Sequence, residues 1–325
     1  LGVDSLVIGK VESLAGGQYR VQFRVFDVFR GRQLTGYSLP ASADNLRHVA
    51  HRIADIIYEQ LTGEPGAFAT RIAYVISESR NGEKQYQLQL ADSDGYNPST
   101  LLTSQQPLMS PAWSPDGRRL AYVSFEKGRA SIFVQDIGTG QRSELASFAG
   151  INGAPSWSPD GRSMVLTLSR DGNPEIYRLQ LNDKKLTRLT RSAGIDTEPV
   201  FAPDGSSIVF TSDRGGKPQI YRVAASGGAA QRVTFEGDYN AAASYSPDGR
   251  SLVMITRVGG QFRVVLTDTQ GGSRRLLSNG QLDESPSFAP NGSMVIYASE
   301  NNGRGVLSAT PIAGGAGQRL SQGEL

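Results

Sequence analysis

Few side chains in this 325-residue chain have the types and spacing that chemistry requires. The two histidines, His48 and His51, lie three residues apart, with no cysteine or acidic residue at a recognised metal-ligand spacing and no His-Glu-x-x-His motif. Such a pair is more typical of a helix surface than of a metal site. The absence of cysteine excludes disulfides and thiolate chemistry. The sequence therefore predicts no metal site at the histidines.

Nucleophilic catalysis also lacks its residues. No histidine follows His51, so the larger part of the chain has no base for a Ser/His or Cys/His pair. The chain has no Gly-x-Ser-x-Gly sequence, and its arginines are too scattered to assign to an anion-binding cluster. We predict no catalytic residues and a protein that is not an enzyme.

A better candidate site lies in five short segments, each just before a short apolar strand that leads into a similar turn sequence. The segments are unlike one another although the turns are nearly identical, and three of them carry carboxylates. Mixed apolar and acidic groups suit a peptide partner, while clustered carboxylates leave a calcium ion as an open alternative. No other cofactor is predicted. The predicted partner-binding residues are Leu108, Met109, Ser110, Gly150, Ile151, Asn152, Asp196, Thr197, Glu198, Tyr239, Asn240, Asp283 and Glu284.

The turn that follows each segment is a repeated tetrapeptide. Proline presets φ for the second position of a type I turn, and glycine takes the left-handed conformation that returns the chain. A β-branched or aromatic run follows each copy, so each turn joins two antiparallel strands. Ser-Pro-Asp-Gly or a close variant occurs with prolines 44, 44, 44 and 43 residues apart, at Pro115, Pro159, Pro203, Pro247 and Pro290. A repeat of this length is typical of one four-stranded propeller blade.

Counting the strands predicts a six-bladed propeller. The stretch 71–77 matches 119–124 without a preceding turn tetrapeptide, which predicts a first blade that lacks its innermost strand. In closed propellers the other terminus usually supplies that strand. The sequence ends where the strand is due to begin, so we expect the closing strand to be missing from this sequence. In such a ring, the five segments lie on the rim of the central channel.

The first 69 residues follow another pattern. Strand-like stretches at 5–11, 19–29 and 33–39 precede apolar residues at helical spacing from Leu46 to Leu61, with Asp44 as a candidate cap and Gly63 as the stop. We interpret Leu1 as a truncation point inside this domain. The sequence thus predicts two domains: residues 1–69 form a partial N-terminal α/β (α+β) domain, and residues 70–325 form an all-β six-bladed propeller.

The composition argues against two classes of partner. The net charge is only +2, and no run of Lys or Arg accompanies it, which argues against nucleic acid. No stretch of about 18 apolar residues is present, so no direct membrane insertion is predicted.

Several stretches resemble the TolB family, the periplasmic components of the Tol–Pal system of Gram-negative bacteria. They are residues 71–75, 106–117, 152–155 and 291–297, together with the helix end at 61–63. The unbroken string at 106–117 is the most specific of them, because single Ser-Pro-Asp-Gly turns also occur in prolyl-oligopeptidase-like propellers. The resemblance covers nearly the whole chain.

This resemblance implies a periplasmic adaptor that is not an enzyme. It implies that the propeller binds the peptidoglycan-associated lipoprotein Pal, with Ile151 and Thr197 at the Pal-contacting positions, and that translocating colicins use the same place. It implies TolA binding through an N-terminal segment that is missing here, and a role in outer-membrane integrity and in envelope constriction during cell division. The alternatives are a peptidase-associated propeller and a sialidase-type or lactonase-type propeller enzyme.

Overall fold

The computed structural model describes residues 3–80 and 82–320 of the chain. The described residues form two compact units, one of the residues up to 71 together with 92–94, and one of residues 72–91 together with those from 95 onward. We keep residues 1–69 and 70–325 as the proposed domain limits.

The first unit contains one antiparallel sheet and one longer helix. The strands β1 (Ser5–Ser13), β2 (Gln18–Asp27) and β3 (Arg32–Ser42) form a sheet in that order, and the helix α1 (Leu46–Thr62) packs on β2 and β3. Two short 3-10 helices lie at Ala15–Gly17 and Ala43–Asn45. The residues Phe23, Val25, Ala41 and Val49 are buried where sheet and helix meet.

The two ends of α1 differ in how well the sequence predicts them. Gly63 ends the helix as predicted, because its φ of 78° is left-handed and its N–H donates to the Glu59 carbonyl. Asp44 was the predicted cap, and that prediction is wrong. Asp44 lies inside the short 3-10 helix, where Asn45 Oδ1 instead accepts the backbone N–H of Ser42 at 2.7 Å. Residues Ser42 and Asn45 therefore satisfy the backbone at this entry to the helix.

The second unit consists of consecutive antiparallel sheets, each with its strands in chain order. The first sheet has three strands, β4 (Arg71–Arg80), β5 (Glu83–Asp92) and β6 (Ser99–Ser104). The later sheets of the described residues have four strands each: β7 (Leu108–Trp113), β8 (Arg119–Ser124), β9 (Ser131–Asp136) and β10 (Arg142–Ala146); β11 (Asn152–Trp157), β12 (Ser163–Leu168), β13 (Glu175–Gln180) and β14 (Leu186–Arg188); β15 (Asp196–Phe201), β16 (Ser207–Ser212), β17 (Gln219–Ala224) and β18 (Gln231–Arg232); β19 (Asn240–Tyr245), β20 (Ser251–Val258), β21 (Gln261–Asp268) and β22 (Arg274–Leu276); β23 (Asp283–Phe288), β24 (Met294–Asn301), β25 (Arg304–Pro311) and β26 (Gln318–Arg319).

The core of this unit lies between neighbouring sheets. Hydrophobic clusters join each sheet to the next, and the buried runs on the second strands, such as 164–168 and 208–210, contribute to them. The first and last sheets also share a cluster, in which Ile72 and Tyr74 of β4 pack against Leu307 and Leu320. The count of six blades stays a prediction. The closing strand of the first blade also stays a prediction, and its expected position lies outside the described residues.

The repeated turns share a backbone hydrogen bond from the glycine and a side-chain bond from the Asp or Asn, and the copies that begin with Ser add a hydroxyl bond. In the copy at Ser158, the Gly161 N–H donates to the Ser158 carbonyl at 2.9 Å, and the Ser158 hydroxyl donates to Asp160 Oδ1 at 2.6 Å. The Arg162 N–H donates to the same carboxylate oxygen at 3.0 Å. The Ser158 hydroxyl is the main cause that lowers the pKa of Asp160. Hydrogen bonds likewise lower the pKa at Asp116, Asp204 and Asp248.

We expect these turns to make the protein sensitive to acid. A carboxyl whose folded-state pKa is depressed stabilises the fold above its unfolded pKa, here 3.8, and that contribution is lost as the pH falls through the lowered folded value. Replacing the four turn aspartates by Asn should therefore reduce the loss of Tm between about pH 6 and about pH 3, measured by circular dichroism.

The fifth copy of the turn shows why Asn is a suitable replacement. Asn291 Oδ1 accepts the Ser293 N–H at 3.1 Å, so an amide holds the same turn without titrating. If the variant and the wild type lose equal Tm over this range, then the turn carboxylates are not the source of acid sensitivity.

Candidate partner-binding rim

The first strands of the four-stranded sheets contact one another in sequence. β7 contacts β11, β11 contacts β15, β15 contacts β19, and β19 contacts β23. These strands therefore form the inner wall of the propeller. We call the residues at their starts the rim, which consists of 107–110, 150–154, 195–198, 239–242 and 282–285.

Apolar side chains are exposed at equivalent places along the rim. The residue just before the strand is Ile151, Ile195 or Leu282 in three of the segments, exposed by 49%, 49% and 40%, and it is the half-buried Tyr239 in a fourth. Met109, the second residue of β7, is 51% exposed. Ile195 and Leu282 are missing from the predicted contact set. Aligning the strand starts of the repeats is the signal that identifies them.

The first residue of each inner strand is buried, which corrects the prediction that these side chains contact a partner. Asn152 donates from Nδ2 to the Phe148 carbonyl at 2.7 Å, and its Oδ1 accepts the Phe148 N–H at 2.8 Å. Asn240 donates to the Glu236 carbonyl at 2.8 Å in the same way. These side chains hold the loop that leads into the strand. The five buried residues are Leu108, Asn152, Asp196, Asn240 and Asp283.

The burial of two carboxylates also bears on the calcium alternative. The hydroxyls of Ser278 and Ser299 donate to Asp283, each at 2.5 Å, and Arg214 pairs with Asp196 at 2.5 Å. Both carboxyl groups therefore lie inside the protein and not on the rim surface, where a calcium ion would need them. Glu198 and Glu284 are the predicted carboxylates that stay on the rim surface.

A β-bulge with a left-handed residue shapes each rim segment. The register shifts after the second residue of every inner strand. A bulge bends the strand and re-aims its side chains, and a left-handed non-glycine residue costs roughly 1–2 kcal/mol. The third residue has positive φ in all five: Ser110 (51°), Ala154 (45°), Glu198 (54°), Ala242 (54°) and Ser285 (52°).

Glu198 connects two of these bulges. Its Oε2 accepts the Thr211 hydroxyl at 2.8 Å and the Ala242 N–H at 2.9 Å. The backbone group that the bulge at Ala242 frees is thus satisfied by a carboxylate from the neighbouring strand. Glu198 therefore stabilises the neighbouring bulge, and its half-buried side chain also forms part of the rim surface.

The segment around Gly150 needs glycine. Its φ is +80°, and a Cβ there would lie 2.3 Å from Ser169 Oγ. That hydroxyl accepts the Ile151 N–H at 2.7 Å. The glycine and the serine together place Ile151 on the surface.

A cleft of about 190 Å³ opens on the rim between β15 and β19. Its carboxylates, Glu198 and Asp213, form no ion pair with a Lys or Arg of the described residues. Burial, followed by the charges of Glu198 and Glu284, raises the pKa of Tyr239. The cleft therefore suits an apolar group that ends in a cation or an N–H donor. It is lined by Ile195, Thr197, Glu198, Thr211, Asp213, Pro218, Tyr239 and Ala241.

His51 has acidic neighbours that the sequence spacing did not reveal. Ligand atoms of His51, Asp92 and Asp94 lie within 4.8 Å of one another in the first unit. Arg47 donates to Asp92 Oδ2 at 2.7 Å and also pairs with Asp94. A guanidinium between the carboxylates favours an ion-pair cluster, so we assign no metal to it.

None of the helices in the described part of the chain has the length and apolar character that a membrane crossing requires.

Comparison with known families decides the relationship. A family model described as the TolB beta propeller domain matches residues 58–324, and one described as the TolB amino-terminal domain matches residues 1–34. The chain belongs to the TolB family. The sequence-based prediction of this family is confirmed, and with it the β-propeller.

Individual TolB proteins are similar over much of the chain. The Tol-Pal system protein TolB of Nitrosococcus oceani is 56% identical over 155 residues, which cover 47% of this chain and 36% of that protein. The chain is thus matched over about a third of the length of this relative. The crystal structure of TolB from Acinetobacter baumannii has a TM-score of 0.90 and 44% identity, and covers 95% of this chain and 78% of that chain.

Proposed function

We propose that this protein is a periplasmic adaptor without enzymatic activity, which binds Pal through the rim of its propeller. The observation that carries the proposal is the set of exposed apolar side chains at equivalent rim positions, in a chain of the TolB family. Large apolar side chains surrounded by polar groups are the usual anchors of a protein interface. Ile151 belongs to this set, and Thr197 lines the adjoining cleft.

The wider role follows from the relatives that are named Tol-Pal system proteins. The adaptor would link Pal to TolA of the inner-membrane complex through an N-terminal segment. It would thereby support outer-membrane integrity and envelope constriction during cell division. Colicin translocation domains would use the same rim. No cofactor is proposed.

The direct test is calorimetric titration with the soluble domain of Pal from Nitrosococcus oceani, the organism of a 56% identical relative. We expect a saturable complex of one Pal per chain. Absence of binding at high micromolar concentrations would overturn the proposal. Esterase and sialidase assays with and without calcium test the enzymatic alternatives, and we expect no turnover in either.

A further inference from the structure

Two carboxyl groups are buried together directly beneath the rim. Glu175, the first residue of β13, and Asp196, the first residue of β15, are both fully buried. Glu175 accepts the Thr190 hydroxyl at 2.6 Å and the Ser192 N–H at 2.7 Å. The Asp196 N–H donates to the carbonyl of Pro174, the residue before Glu175, at 3.0 Å, which brings the two buried acids together. Two carboxyl groups form a hydrogen bond with each other only when one of them carries a proton.

The charges around the pair come from several elements. Arg188 on β14 donates to Glu175 at 2.8 Å and lies 3.9 Å from Asp171 in the β12–β13 hairpin. Arg214 in the β16–β17 hairpin donates to Asp196 Oδ2 at 2.5 Å. The carboxylate of Asp213 accepts the Ile195 N–H at 2.7 Å. Each of the two acids thus forms an ion pair with one arginine, and the carboxylates of Asp171 and Asp213 lie nearby.

One oxygen of the pair has no partner as it stands. Asp196 Oδ1 is buried and makes no hydrogen bond as an acceptor. An unpaired carboxylate oxygen away from water is costly, whereas a protonated one becomes a donor. Burial raises the pKa of Asp196, and hydrogen bonds with Arg214 and Ser212 only partly oppose this. Burial also acts on Glu175, but the hydrogen bonds from Thr190, Ser192 and Arg188 outweigh it and lower the pKa.

The next sheets provide natural comparisons for the pair. In each of these three sheets, a backbone N–H near the start of the third strand donates to a hydroxyl two residues after the fourth strand, so the residues that precede those N–H groups are structurally equivalent. The donors are Ile176, Ile220 and Val264, and the hydroxyls are those of Thr190, Thr234 and Ser278. The pair Gln219 and Asn240 is neutral, and Asn240 Nδ2 donates to Gln219 Oε1 at 2.8 Å. The N–H of Asn240 therefore lies where a proton between Asp196 and Glu175 would lie in the preceding pair of sheets. The equivalent pairs are Glu175 with Asp196, Gln219 with Asn240, and Arg263 with Asp283.

We propose that Glu175 and Asp196 share one proton, held on Asp196 Oδ1, and that this proton makes the rim sensitive to pH. Loss of the proton leaves two carboxylates facing each other at the base of the segment 190–198. Because Asp196 lies between Ile195 and Thr197, the arrangement of both rim residues depends on it. The effect on partner binding rests on the proposed function, whereas the effect on folding stability does not.

The sign of the stability effect follows from the two shifts. The contribution of Asp196 is present below its unfolded pKa and is lost as the pH rises through the raised folded pKa. Glu175 acts in the opposite sense, since its lowered pKa gives stability that is lost in stronger acid. Over a measured range above the ordinary aspartate pKa, such as about pH 5 to about pH 8, Asp196 therefore makes the wild type less stable as the pH rises.

Denaturant unfolding across that range tests the shared proton. In Asp196→Asn, the amide donates to Glu175 at every pH, as Asn240 does to Gln219. We expect the unfolding equilibrium constant of the wild type, relative to this variant, to rise at least about tenfold between about pH 5 and about pH 8. Asp283→Asn is the matched control, because it makes the same change at the equivalent position opposite Arg263. It should keep the pH profile of the wild type.

Parallel profiles for the wild type and Asp196→Asn would overturn the shared proton. If the single variant does not fold, the double variant Glu175→Gln with Asp196→Asn copies the neutral pair of the next sheet and takes its place. Pal affinity at the two pH values then tests the rim. Equal pH dependence of Pal binding in wild type and variant would remove the regulatory role, and no Pal binding at either pH would instead count against the proposed function.

Discussion

Replacing Ile151 by Asp should weaken the binding of Pal by at least about 2 kcal/mol, which is about thirtyfold in Kd. Ile151 is 49% exposed at the start of β11, on the same rim as Met109 and Ile195. An interface that covers it would bury the new carboxylate without a partner. The variant should fold normally, because the backbone contact of Ile151 with Ser169 does not use the side chain. Isothermal calorimetry at constant pH measures the change.

A matched control separates the rim from the general cost of adding a charge. Leu276 has a similar exposure, 45%, but lies on β22, the last strand of its sheet. Leu276→Asp should leave Pal affinity unchanged. Thr197→Asp, in the cleft that opens on the rim, should behave like Ile151→Asp. Normal affinity in both rim variants would place the binding site elsewhere.

Replacing Phe210 by Ala should lower the free energy of unfolding by about 3–5 kcal/mol. Phe210 is fully buried on β16, where it packs with Ile176, Leu189 and Tyr221 between two neighbouring sheets. Its removal leaves a cavity that rigid strands on both sides cannot fill. The Arg214 guanidinium also lies over the ring, at 5.3 Å, so the ion pair with Asp196 loses support.

Urea-induced unfolding followed by fluorescence measures this effect. Phe235→Ala is the control, because Phe235 is 67% exposed in the loop after β18 and should change stability by less than about 0.5 kcal/mol. A loss below about 1 kcal/mol in Phe210→Ala would show that the clusters between sheets contribute little to folding.

The turns, the strands and the family were determined by the sequence itself. The contacts of each Pro-Asp-Gly turn are local: Ser158 and Asp160 are two residues apart, and the farthest partner, Ser163, is five residues away. Gly63 ended its helix as predicted because a left-handed conformation is a property of one residue. The apolar positions Ile151 and Met109 were identified for the same reason, since a large side chain at a loop end needs no distant partner to stay exposed.

Only the tertiary structure decided which polar rim residues are available. Asp196 looked like a surface carboxylate, but its arginine is 18 residues away in the next hairpin and its acidic neighbour lies in the preceding sheet. The acids beside His51 are likewise distant in sequence, and Arg47 meets them across 45 and 47 residues. A pattern in the sequence reports contacts along the chain, whereas burial depends on which strands pack together, and a carboxylate that is solvated in one packing becomes a proton-binding group in another.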